Sequence, residues 1–187
     1  MKLASHNSMT YLPVSCWWMR PFNFLAKCQQ LDINAQLDAG VSYFDFRVRW
    51  DKHGDIVFAH GLAEYHSECL FDILNVLHRK NCTTVRLTLE LNKHDAVQEA
   101  DFIGLCKTVH ADYPHIRFLG GCTKKGWRQL YDFENAEPSL FQWYQSYHND
   151  KPHVAFFPRL WALRNNPKGK ALAKGHDYLM MDFITEK

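Results

Sequence analysis

Two stretches of this chain alternate apolar and polar side chains with a period of two, the signature of a β-strand with unlike faces. In SYFDFRVRW, residues 42–50, Phe44, Phe46, Val48 and Trp50 share one face while Tyr43, Asp45, Arg47 and Arg49 share the other. In TTVRLTLELN, residues 83–92, Val85, Leu87, Leu89 and Leu91 oppose Arg86, Thr88, Glu90 and Asn92. Such a charged face is satisfied either by solvent or by lining a pocket.

The segments around these strands alternate in type. KLASH is a short strand running into His6 and Asn7, and DIVFAHG is another that ends at His60. HIRFLGG, HVAFF and YLMMDF complete the strand set, with an amphipathic stretch, SLFQWYQSY, between the first two of these. DINAQLDAG reads as a helix with Asp32 as N-cap and Gly40 just past its end. Leu70, Ile73, Leu74 and Leu77 form a helical stripe that Ser67 would cap. Asp95 and Gln98 resemble a capping box opening a helix to about Val109. Strands alternating with helices predict parallel β/α units. The expected architecture is α/β: one domain, 1–187, forming a compact, distorted (β/α)8 barrel. Because 187 residues fall below the usual minimum of roughly 200, some helices must be short or missing.

Composition narrows the partners. With 22 Lys+Arg against 20 Asp+Glu, the formal charge of +2 argues against nucleic acid. The six cysteines, at 16, 28, 69, 82, 106 and 122, form neither CxxC pairs nor a tight framework and are expected as free thiols. No stretch reaches the roughly 18 apolar residues of a membrane span, and the opening residues lack a signal-type apolar core. The expectation is a cytoplasmic protein, or a secreted one if a signal was trimmed.

Chemistry-bearing residues converge on strand ends, where loops of β/α folds build their sites. His6, Asn7, Asp45, Arg47, His60, Glu90 and Asp182 all fall there, and Arg86 and Arg49 share the polar faces. Each alone has a structural explanation, a satisfied histidine or an ordinary ion pair; their joint placement is the signal. Two imidazoles and a guanidinium suffice for phosphodiester cleavage without a metal. One imidazole takes a proton from the attacking hydroxyl, the other gives one to the leaving oxygen, and the guanidinium holds the phosphate. Asp45 and Asp182 are candidates to orient the imidazoles.

At these residues the chain resembles the X domain of phosphatidylinositol-specific phospholipase C. ASHNSMTYL, GVSYFDFRVRW and VFAHG are similar to its signature segments, in the same order, and MMDF is similar to a later one. The resemblance implies that His6 is the base for the inositol 2-hydroxyl and that His60 is the acid for the diacylglycerol oxygen. It further implies a cyclic phosphodiester product and an Asp182 that pairs with His6. Asp45-Phe-Arg47 matches the metal-independent bacterial branch, in which the arginine takes the place of calcium. His6-Asn7 and Glu90 match the calcium-dependent branch instead. Arg47 favours the former, so no cofactor is expected, with Asn7, Glu90, Arg86 and Arg49 as substrate contacts. Asn7, where the bacterial pattern has an acid, removes a charge that would tune His60.

Two other functions compete. One is a calcium- or magnesium-dependent glycerophosphodiester phosphodiesterase using Asn7, Asp45 and Glu90 as oxygen ligands. The other is a non-catalytic module binding a phosphate or lipid headgroup. The aromatic segment YLPVSCWWMRPFNFL, residues 11–25, is expected to plug the core of a short barrel, the alternative being a rim loop in peripheral membrane contact. The basic runs 124–128 and 159–170 are expected to be solvated faces. A shortened barrel would gain from a partner chain, but nothing in the sequence specifies an oligomer.

Overall fold

The computed structural model describes residues 1–80, 83–124, 127–134, 137–145 and 158–185. In chain order, β1 (Lys2–Ser5) is followed by a 3-10 stretch (Trp17–Phe22), α1 (Asn23–Ala26), α2 (Ile33–Asp38) and β2 (Val41–Trp50). Then come β3 (Ile56–His60), β4 (Ala63–Tyr65), α3 (Leu70–Arg79), β5 (Thr83–Leu89) and α4 (Ala96–Asp112). β6 (Ile116–Thr123), β7 (Leu140–Gln142), a 3-10 turn (Trp143–Gln145), α5 (Pro158–Leu172) and β8 (Tyr178–Met181) close the set.

Six strands run parallel in the order β6, β5, β2, β1, β8, β7. Among the described residues β6 and β7 do not pair with each other, so the sheet is a curled half-barrel. This is the distorted α/β barrel that the alternation of elements predicted, with helices as short as the four residues of α1. HVAFF, expected as a strand, lies outside the described residues.

β2 organises the sheet because its ten residues outlast its neighbours. β1 pairs with its first part, up to Phe44, and β3 pairs antiparallel with the last three residues, Val48 to Trp50. The strand carrying His60 therefore is not a parallel β/α unit. With β4 it forms an antiparallel hairpin that runs back down over the end of β1, which is what lets residue 60 approach residue 6.

Helix boundaries follow local chemistry. Asp32 caps α2 as expected, accepting from the Ala35 N–H at 2.8 Å. The N-cap of α3 is Cys69 and not Ser67, and no side chain caps it; burial of Leu70, Ile73, Leu74 and Leu77 holds the helix instead. Asp95 caps α4 through Val97 and Gln98, but Gln98 accepts from the Trp50 N–H, so no reciprocal capping box forms, and the helix extends to Asp112. The basic run 159–170 lies in α5, whose Trp161 and Ala162 are buried.

Strand alternation now has its answer. Phe44, Phe46 and Val48 belong to the main core with α3 and α4, together with Leu87, Leu89 and Phe102. The opposite faces point into the half-barrel, where Ala4, Tyr43, Leu119 and Met180 form an apolar floor. One step further along each strand the interior turns charged: His6, Asp45 and Asp182 stand two residues beyond Ala4, Tyr43 and Met180. The charged face is shielded from solvent, with Asp45 only 1% and Arg47 6% exposed.

Candidate active site

Each interior charge has a partner, as burial demands. Asp45 Oδ1 accepts from Arg86 Nε at 2.8 Å, and its Oδ2 accepts from the Asn7 backbone N–H at 3.1 Å and lies 3.4 Å from Arg47 Nε. Burial would push the Asp45 carboxyl up, but Arg86 and then Arg47 outweigh it and hold it well below the carboxylate range. Asn7 takes a positive φ of 45°, a conformation asparagine tolerates, and this turns its N–H toward Asp45.

The hydrogen bonds of His6 fix its tautomer. Arg47 Nη2 donates to His6 Nε2 at 2.9 Å, and Asn7 Nδ2 lies 3.2 Å from the same nitrogen. A guanidinium can only donate, so Nε2 carries the lone pair and the ring proton sits on Nδ1. From there it is donated to Asp182 Oδ1 at 2.7 Å. Burial, and next Arg47, hold the His6 pKa well below its ordinary value. This histidine is a neutral base with its lone pair facing the cation.

His60 has the same tautomer for a different reason. Its Nδ1 donates to the Ala26 carbonyl at 2.7 Å, leaving Nε2 as the exchanging nitrogen. Its ring centroid is 6.3 Å from that of His6, edge to face. Burial and Arg47 lower its pKa to about 4.

Glu90, just past β5, ties the site to the hairpin turn. Its Oε1 accepts from the Gly61 N–H at 2.9 Å and from Lys124 Nζ at 2.6 Å, and its Oε2 lies 3.5 Å from Arg47 Nη1. Burial raises the carboxyl, but Arg47 and Lys124 reverse the sign and keep it low. The oxygens of Asp45 and Glu90 that would serve a divalent cation are thus already satisfied by Arg47, Arg86 and Lys124. The donor set does not suit calcium or magnesium.

The structure brings together His6, Asn7, Asp45, Arg47, His60, Glu90 and Asp182 at the carboxyl ends of β1, β5 and β8 and on the hairpin, with Asp45 and Arg47 midway along the longer β2 and not at its end as expected. Arg86 contacts Asp45 and, at 3.6 Å, Met180 Sδ, without touching either imidazole. Arg49 lies apart: it donates to the Gly61 and Ala63 carbonyls and pairs with Glu64, holding the turn after His60.

Three further residues are here: Lys124, which was expected on a solvated basic face and instead pairs with the buried Glu90, and Cys28 and Tyr144, which no sequence pattern marked as site residues. Lys124 neutralises Glu90. Cys28 is buried, with Sγ 3.5 Å from Asn7 Nδ2 and 3.9 Å from His60 Nδ1. Tyr144 stacks on His6 with centroids 3.5 Å apart and planes 9° from parallel. The tyrosine ring thus covers one face of His6, and the small cavity beside Asn7, Asp45 and Arg47, lined also by Phe58 and Tyr65, has a free volume of about 10 Å³, room for about one water.

The aromatic segment divides: Leu12, Val14 and Met19 join the main core with Tyr11 and Cys16 packed against it, as expected of a plug, whereas its exposed aromatic residues do not. Trp17 is 79% exposed, and Trp18, Phe22 and Phe24 are exposed beside it; only Met19 and Ala26 of residues 17–26 are buried. The segment ends at the Ala26 carbonyl that holds His60, which puts it on the rim. Among the described residues no helix is long and apolar enough to cross a membrane.

No protein-family model matches the sequence, and neither does any curated protein. Among solved structures the chain is similar to the phosphatidylinositol-specific phospholipase C from Listeria monocytogenes. The TM-score is 0.62 at 14% identity, over 98% of this chain and 88% of that one. The chain therefore shares the fold of that phospholipase C.

Proposed function

We propose that this protein is a metal-independent phosphodiesterase that cleaves a phosphatidylinositol- or glycerophosphodiester-type substrate to a cyclic phosphate. The observation that carries this reading is the pairing of two Nδ1-protonated imidazoles, 6.3 Å apart, with Arg47 donating to one of them. In the forward step His6 Nε2 takes the proton of a hydroxyl adjacent to the phosphate, and that oxygen attacks phosphorus. The bond to the leaving alkoxide breaks, and protonated His60 Nε2 supplies its proton. Asp182 stabilises the imidazolium formed at His6, and Arg47, released from His6 as that nitrogen is protonated, neutralises the phosphoryl oxygens. The competing metal-dependent reading finds Asp45 and Glu90 already engaged by cations.

A lipid substrate is supported by the rim. Trp17, Trp18, Phe22 and Phe24 interleave with Arg20 and Lys27, the composition that favours a bilayer interface. Turnover of phosphatidylinositol and of glycerophosphoinositol, followed by phosphorus NMR, tests the proposal. A cyclic phosphate resonance is expected in EDTA, unchanged by calcium, and reduced about 10²–10⁴-fold in His60→Ala. Activity only with calcium sinks metal independence, and headgroup binding without turnover indicates a non-catalytic module.

A further inference from the structure

We propose that His6, Cys28 and Asp182 form a binding site for one thiophilic divalent ion of the zinc class, and that the ion switches the site off. A ring nitrogen of His6, Cys28 Sγ and an Asp182 carboxylate oxygen all lie within 4.8 Å of one another in a buried setting, and Nδ1 is the nitrogen that stands 2.7 Å from Asp182 Oδ1. Imidazole, thiolate and carboxylate are a zinc donor set, and ligands at zinc bond lengths stand about 3.5 Å apart around a tetrahedral ion. Separations of at most 4.8 Å lie within about 1.3 Å of that spacing.

The scaffold holds these groups in mutual register. The Cys28 N–H donates to Thr10 Oγ1 at 2.9 Å, and the Cys28 carbonyl accepts from the N–H of Phe183, next to Asp182, at 2.7 Å. Cysteine and aspartate are therefore fixed to each other by backbone. Three protein ligands leave a fourth position for water. Calcium and magnesium, which take all-oxygen shells, are poor competitors for a site containing a thiolate.

Proton accounting gives the consequence. The Cys28 thiol loses its proton to solvent, and the His6 proton leaves Nδ1, which takes the metal, for Nε2. There it faces Arg47 Nη2, 2.9 Å away, which must withdraw and keeps Asp45 and Glu90 as partners, and Asn7, whose Nδ2 is 3.2 Å away and whose Oδ1 is buried without a partner among the described residues. Rotation of the Asn7 amide presents Oδ1 to the new Nε2–H and gives that oxygen its missing bond. Metal binding thus removes the lone pair that the proposed reaction needs as its base; this second half of the inference rests on that reading, and the binding itself does not.

Cobalt titration of the reduced full-length protein tests the site. One equivalent is expected to give a thiolate-to-cobalt charge-transfer band that zinc displaces and calcium does not. The band is expected to vanish in Cys28→Ser and Cys28→Ala, to persist in Cys69→Ser, and zinc affinity to fall about 100-fold or more without the thiol. Asp182→Asn, expected to weaken zinc at least about ten-fold, decides the matter if the cysteine variants do not fold. Absence of the band from the wild type, or its persistence in Cys28→Ser, overturns the site. Where turnover is measurable, zinc must abolish it; a metallated protein that still turns over substrate overturns the switch. If no diester is cleaved, the proposed function fails while the band still decides the metal site.

Discussion

Asp45 is shared by two guanidinium groups and a backbone N–H, so removing its charge leaves two buried cations facing each other. Asp45→Asn is expected to cost about 3–5 kcal/mol, read as a lower urea midpoint. Because the carboxyl pKa is lower folded than unfolded, where it is about 3.9, its stabilisation is complete above that pH and is lost as pH falls below it. The acid limb of the stability curve should flatten in the variant. A second pH effect concerns rate. In the proposed reaction His60 must be protonated to act as acid, and its pKa of about 4 in the free protein means that this form is lost above that pH. The profile of kcat/KM should therefore decline from about pH 4 upward, while kcat, measured with phosphate bound beside His60, should hold to higher pH. The sequence made most of this constellation legible, since His6, Asp45, Arg47, His60, Glu90 and Asp182 end or occupy alternating strands. Cys28 and Tyr144 were not, because they sit in irregular segments where no period marks which way a side chain faces.

At the level of elements, β6 shows how tightly the sheet is drawn around its interior. Gly120 has a φ of 89°, and a Cβ there would stand 2.5 Å from the Leu87 carbonyl oxygen, at the register shift between β5 and β6. Gly120→Ala should destabilise by more than about 1 kcal/mol and broaden the amide resonances of Thr88 and Cys122. A double glycine in a strand signals such a close approach, but the sequence does not say which neighbour approaches. The hairpin of β3 and β4 was illegible for a related reason. A five-residue run ending in His-Gly looks the same whether its partner runs parallel or antiparallel, and the choice is made by how far β2 outlasts β1. Capping of α2 by Asp32 was readable because it depends on three adjacent residues; the start of α3 was misjudged because burial, not a cap, sets it.

Considered whole, the molecule separates the residues of its core from those of the proposed membrane-facing rim. Trp17 and Trp18 are exposed and lie outside the core, so a double change to alanine should leave the unfolding midpoint within about 0.5 kcal/mol. The same variant should bind anionic phosphatidylinositol vesicles about ten-fold or more weakly in a sedimentation assay. The overall fold was legible as an alternation of strands and helices, whereas the lack of pairing between β6 and β7 among the described residues was not, since strand order is a long-range property. That order also places β1 between β2 and β8, so His6 meets Asp182 across 176 positions of sequence. During synthesis the first strand must wait with one edge bare until the eighth is made. A chain interrupted before β8 carries both imidazoles but no carboxylate to orient the first, so the proposed base is among the last features that a growing polypeptide acquires.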